Sequence, residues 1–96
     1  MIVERAAIHV LPGREAEFEA AFAEARKVAA EADGIGELTI ARGIESPSTY
    51  LLLVEWDSLE DHMVGFRESE RFVRWRALIG PFFASPPEVE HFQPVD

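Results

Sequence analysis

The sequence predicts an α+β domain: one antiparallel sheet and two helical regions in the order βαββαβ, the ferredoxin-like arrangement. Three observations lead there. Two blocks, each readable as strand, helix, strand, meet at the turn "ESPS". Phe18, Phe22, Ala25, Ala29 and Ala32 fall at i, i+4, i+7, i+11 and i+14, a single apolar stripe of helical period opposite Glu17, Glu24 and Glu31. "TYLLLVEW", beginning at Thr49, reads as a strand that is apolar on both faces, with Tyr50, Leu52, Val54 and Trp56 on one and Leu51 and Leu53 on the other.

Each element has a local cause. The first strand, about residues 2–10, stops at "LPGRE", where Pro12 and Gly13 break the sheet pattern and admit a helix. "DGIG" closes that helix, because glycine accepts the left-handed backbone of a C-terminal cap. A strand over about 37–44 and the strand from Thr49 make a hairpin across "ESPS". After Trp56, Asp57 and Ser58 are both able to cap a helix, and "SLED" fits the capping-box spacing. The second helical region runs to about Ile79 with a break near Ser69, "GPFFASPP" is a loop, and "EVEHFQPV" is the last strand.

Composition excludes several classes of function. The 96 residues suit one domain spanning 1–96, with an ordinary apolar content of 48%. No apolar run reaches the ~20 residues of a spanning helix, and Glu4 and Arg5 interrupt the N-terminus where a signal peptide needs continuous apolar residues, so the expected location is cytoplasmic. The absence of cysteine excludes disulfides and thiolate chemistry. A net charge of -9 disfavours nucleic acid and anionic membranes as partners.

The βαββαβ order places both helical regions on one side of the sheet and leaves the other bare. Leu51 and Leu53 would each forfeit roughly 1.5–3 kcal/mol of burial if left in water. The economical cover is a second copy of the same sheet about a two-fold axis, so a homodimer is expected; the alternative is a monomer with an apolar patch.

The stretches "VEWDSLEDHMVGFRESERF" and "GPFFASPPEVEHF", with Trp56 ending its strand, His62 in the capped helix and Ser69 and Phe72 in an S-x-x-F, resemble the antibiotic biosynthesis monooxygenase domain family over about residues 2–94. The resemblance implies a dimeric α+β barrel, with substrates held between the sheet and the second helical region. It also implies a reaction class that runs from quinol and anthrone oxygenation to haem degradation.

Helical spacing puts Leu59, His62, Met63 and Phe66 on one wall of that space and Phe72, Trp75, Arg76 and Ile79 on the next; Tyr50, Leu52 and Val54 join them if Trp56 faces the helices. Such a wall suits a flat apolar ligand, although each aromatic also reads as core packing. His62 is the candidate base and Arg76 the candidate oxyanion partner, with a structural hydrogen bond and an internal salt bridge as their respective alternatives. Arg67, Arg71 and Arg74 fall at i, i+4 and i+7, an outward face expected to pair with Glu68 and Glu70. His9, His62 and His91 lack metal-ligand spacing, so no metal is expected, although His9 and His91 approach each other if the first and last strands are neighbours. No phosphate loop, dinucleotide fingerprint or serine elbow is present, and no cofactor is expected.

The combined reading is cofactor-independent oxygenation of a small aromatic quinol, anthrone or enol, with Trp56 stacking, His62 as base and Arg76 steadying the oxyanion. The chain departs from the family pattern in having no asparagine: Leu52 and Ala6 stand where oxygenases and haem degraders carry the pocket amide, and Phe66 stands where haem degraders carry a histidine. The competing reading is a non-catalytic carrier of a small aromatic ligand.

Overall fold

Alternation along the first strand decides what the sheet presents to its helices. In β1 (Ile2–His9) the even-numbered Glu4, Ala6 and Ile8 are buried. The structure, a computed structural model describing residues 1–96, continues through α1 (Glu15–Ala29), β2 (Ile35–Arg42), β3 (Thr49–Trp56), a π-helical turn (Asp61–Phe66), α2 (Glu70–Ile79), a 3-10 turn (Gly80–Phe82) and β4 (Glu88–Phe92). All strand pairs are antiparallel, in the order β2-β3-β1-β4, which is the ferredoxin-like topology.

Register carries the site. Ile2 lies opposite Trp56 and Ala6 opposite Leu52 across β1 and β3, while Glu4 lies opposite His91 across β1 and β4. Directly opposed residues share a face, so Glu4, Ala6, Val54, Trp56 and His91 all point toward the helices. The α1 stripe meets them: Phe18, Phe22, Ala25 and Ala29 are buried, and Ala32 beyond the helix end is partly so. Phe22 of α1 meets Trp75 of α2 edge-on at 5.5 Å between ring centres. A Phe18→Ala or Trp56→Ala change in such a core removes about 3–5 kcal/mol.

Two expectations need correction. The second strand begins two residues earlier than expected, at Ile35, because a register shift between Ile35 and Leu38 absorbs Gly36 and Glu37. α1 does not end on a glycine: Ala30 caps it with right-handed backbone, and the left-handed residue is Gly34 (φ 78°), four residues later. A Cβ at Gly34 would collide with the Asp61 carboxylate, so this glycine lets the turn before β2 lie against the start of the π-helical segment. Of the two expected capping residues it is Ser58 of "SLED" that caps that segment, accepting from the Asp61 amide at 3.1 Å.

The opposite sheet face carries no helix. Leu51 and Leu53 are each 36% exposed and Phe92 50%. Arg5 and Glu90, opposed across β1 and β4, form a 2.9 Å ion pair on that face.

Candidate functional site

Between the sheet and α2 lies a cavity of about 400 Å³. Its floor is Glu4, Ala6, Leu52, Val54 and Trp56, and its helical wall includes His62, Phe66, Phe72, Trp75 and Ile79. Arg67 and Arg76 line it as well, both on exposed side chains.

The wall depends on an irregular helix. The Arg67 amide donates to the His62 carbonyl at 2.9 Å, an i→i−5 bond that widens the turn. Gly65 inside it weakens the preference for a regular helix. The widened turn brings His62 and Phe66 onto one indole, with Trp56 stacked on His62 at 5.0 Å and 18° and tilted against Phe66 at 5.6 Å. Ser69 then starts α2 afresh, its hydroxyl accepting from the Phe72 amide at 3.3 Å, so the S-x-x-F is a helix cap.

A chain of polar groups crosses the floor. The Trp56 indole N–H donates to Glu4 Oε1 at 3.0 Å, His62 Nε2 lies 3.2 Å from the same oxygen, and His62 Nδ1 lies 2.8 Å from His91 Nε2. His91 Nε2–H donating to His62 Nδ1 accounts for the shorter contact, while His62 Nε2 packs beside Glu4 Oε1 without the geometry of a hydrogen bond. His62 Nδ1 is thereby occupied, and Nε2 is shielded by the Glu4 carboxylate beside it. Glu4 lines the cavity, and its one side-chain hydrogen bond is the one from Trp56.

Burial sets the protonation states. Desolvation raises the Glu4 carboxyl above its ordinary value, against the opposing Trp56 hydrogen bond and Arg67 charge. His62 is pushed down to about 4 by burial first, then by the charges of His91 and Arg67; burial and Arg67 also lower His91. The neutral His62 has a consequence for stability. Between pH 6.5 and about 4 the unfolded chain takes up a proton that folded His62 refuses, so stability falls as pH falls through this window, by at most about 3 kcal/mol. Glu4 acts oppositely, its contribution being lost as pH rises through its raised value. Urea midpoints at pH 7 and 4.5 check the balance: His62→Gln is expected to shrink the acid-side loss, and an unchanged loss in that variant refutes the assignment.

The structure distributes the candidate residues unevenly. Leu52, Trp56, His62, Phe66, Phe72, Trp75 and Arg76 line the cavity. Trp56 is only 2% exposed with one face against His62, so it offers a ligand an edge rather than an open face. Leu59 and Met63, 48% and 38% exposed, lie outside, because the widened turn rotates them away from the face shared by His62 and Phe66. Tyr50 belongs to a separate hollow between α1 and the β2–β3 edge; Phe18 lies 4.7 Å from its ring, and its hydroxyl donates to Glu19 at 2.6 Å. Burial, then Glu19, pushes that phenol up to about 12.

Arg67 leaves the outward face expected for it, since the helix restarts at Ser69 and one helical period does not run through the break. None of Arg67, Arg71, Arg74 and Arg76 forms an ion pair; Arg67 and Arg76 instead lie over the Phe72 ring at 5.2 and 5.8 Å. His9 and His91 do not meet: His91 faces Glu4, while His9 contacts Thr49 and lies 3.8 Å from Glu88. No three metal-binding side chains are arranged to hold an ion. Glu4 is the functional candidate that sequence reasoning missed. The signal was its even-numbered place in β1, in phase with Ala6, Ile8 and Val10.

Comparison with known proteins agrees with this architecture. The family model for antibiotic biosynthesis monooxygenases matches residues 1–78. An uncharacterized protein of Bacillus subtilis, YczJ, is 42% identical over 95 residues, covering 99% of this chain and 100% of its own. A Bordetella bronchiseptica crystal structure assigned to the antibiotic biosynthesis monooxygenases superposes with a TM-score of 0.94 at 48% identity, covering 98% of this chain and 96% of that one. SnoaB of Streptomyces nogalater, a cofactor-independent oxygenase, shares the fold at a TM-score of 0.80 and 19% identity, over 99% of this chain and 93% of its own. No helix here is long and apolar enough to cross a membrane. Topology, cavity and sequence together assign the chain to the antibiotic biosynthesis monooxygenase family.

Proposed function

We propose that this protein is a cofactor-independent monooxygenase of a small aromatic anthrone, quinol or enol, working as a homodimer whose two helix-free sheet faces pack together. The observation that carries this reading is a buried carboxylate, Glu4, that lines an aromatic cavity with a single side-chain hydrogen bond, from Trp56. An anthrone has an acidic methylene flanked by two rings. Its deprotonation gives an electron-rich anion that reacts with dioxygen without a metal or flavin. The balance closes: the methylene becomes a carbonyl with loss of four electrons, one oxygen atom enters the product, and the other leaves as water with the two methylene protons.

In this reading the proton acceptor is Glu4. His62 was the residue expected in that role, but its Nδ1 is taken by His91 and its Nε2 packs 3.2 Å from Glu4 Oε1, so it buttresses the carboxylate as a neutral ring. Raised basicity favours a carboxylate that must take a proton from carbon. Arg76, on the cavity rim, steadies the developing oxyanion. Phe66, Phe72 and Trp75 hold the rings, with Leu52 beneath.

A non-catalytic carrier is the second reading, favoured by one observation: no side-chain amide lines the cavity. Oxygen-electrode measurements with a panel of anthrones and naphthoquinols separate the two. The oxygenase consumes one dioxygen per substrate above the uncatalysed rate. Binding of the oxidised analogues without oxygen uptake would establish the carrier.

A further inference from the structure

Four arginines in a chain of net charge -9 have neither a carboxylate nor a carbonyl partner for their guanidinium groups, all between positions 67 and 76 although Glu68 and Glu70 are adjacent. The other five cations behave differently. Arg5, Arg14, Lys27 and Arg42 pair with glutamates, and Arg26 donates to the Leu38 carbonyl. Two of the four unpaired guanidinium groups, those of Arg67 and Arg76, line the cavity. They approach the same Phe72 ring, at 5.2 and 5.8 Å from its centre, and Arg76 lies 5.8 Å from the Phe83 ring as well.

Two like charges beside one ring repel each other, and a negative group placed between them relieves that repulsion. The aromatic contacts orient the guanidinium planes but leave their N–H groups unsatisfied by protein acceptors. Those groups match a planar carboxylate, which accepts paired N–H bonds. A carboxylate held there would extend its attached rings into the apolar cavity, toward Glu4.

We infer that Arg67 and Arg76 form an anion subsite at the cavity mouth, and that the ligand is an aromatic carboxylic acid, its carboxylate between the two arginines and its rings against Phe66, Phe72 and Trp75. This inference rests on the cavity being the ligand site, gives Arg76 the substrate carboxylate in place of the developing oxyanion, and narrows the substrate class from neutral polycyclic phenols to acids. It also links binding to chemistry. Arg67 is one of the charges that holds down the protonation of Glu4, His62 and His91. A bound carboxylate offsets that charge and makes Glu4 a stronger base only when substrate is present.

A matched pair of probes tests this in the absence of turnover. 1-Hydroxy-2-naphthoate and 1-naphthol share a ring system and differ by the carboxylate, and Trp56 and Trp75 in the cavity wall report binding by fluorescence. The acid is expected to bind the wild-type chain at least about tenfold more tightly than 1-naphthol. That preference should shrink as salt is raised and be lost in the double variant Arg67→Gln, Arg76→Gln. Equal affinity for the two probes in the wild type, or a preference that survives the double variant, overturns the subsite while leaving the cavity as the ligand site. Failure of both probes to bind overturns the cavity reading and the subsite with it.

Discussion

Glu4→Gln is expected to lower oxygen uptake with the best anthrone or quinol substrate by about 10²–10⁴-fold, while the variant still binds the oxidised product. The substitution is nearly isosteric. Its carbonyl oxygen can keep accepting from Trp56 Nε1, so the floor of the cavity retains that hydrogen bond. What disappears is the carboxylate's capacity to accept a proton. Loss of a buried carboxylate with a raised pKa should not destabilise the fold, so thermal unfolding at pH 7 should shift little or upward. His62→Gln should be milder, because it removes a positioning contact and leaves the base. A Glu4→Gln enzyme with unchanged oxygen uptake would return the role of base to another group.

The second large effect concerns assembly. The wild-type chain is expected to sediment at twice its 10.8 kDa mass at micromolar concentration, and the double variant Leu51→Glu, Leu53→Glu as single chains. Each leucine still exposes 36% of its surface, so covering the remainder contributes roughly 0.5–1 kcal/mol per side chain and somewhat more than 2 kcal/mol across four in a symmetric interface. That alone is modest. Four carboxylates facing one another in the same place add a desolvation and repulsion cost of several kcal/mol more, which is decisive. Retention of the two-chain mass by the variant would locate the interface elsewhere.

The fold was legible where its causes are local. The Phe18–Phe22–Ala25–Ala29 stripe, the apolar even positions of β3 and the new helix start at Ser69 each arise within a few residues, and each is found where the pattern puts it. The site was harder because it depends on contacts between distant segments. Nothing in "DHMVGF" announces an i+5 turn; that geometry follows from seating both His62 and Phe66 on Trp56, and it moves Leu59 and Met63 off the wall. Tyr50 shares a face with Leu52, but Phe18 of α1 divides that face into two hollows. Arg67 was misplaced by carrying one helical period across the break at Ser69. Glu4 was readable in principle. A charged residue at a core-phase position of a strand needs a buried partner, and β1 puts Glu4 in line with Ala6, Ile8 and Val10. Its partners Trp56, His62 and His91 lie 52 or more residues away, so only the fold reveals why the carboxylate is there.

In the proposed reading the cavity between the sheet and α2 holds the ligand with its reacting atom beside Glu4. A crystal structure with a bound hydroxyanthraquinone product tests it most directly. The expected result is a ring system against Phe66, Phe72 and Trp75 with a ligand oxygen or the former methylene carbon about 2.6–3.2 Å from Glu4 Oε2. A product lodged in the hollow beside Tyr50, or on the helix-free face of the sheet, would contradict it.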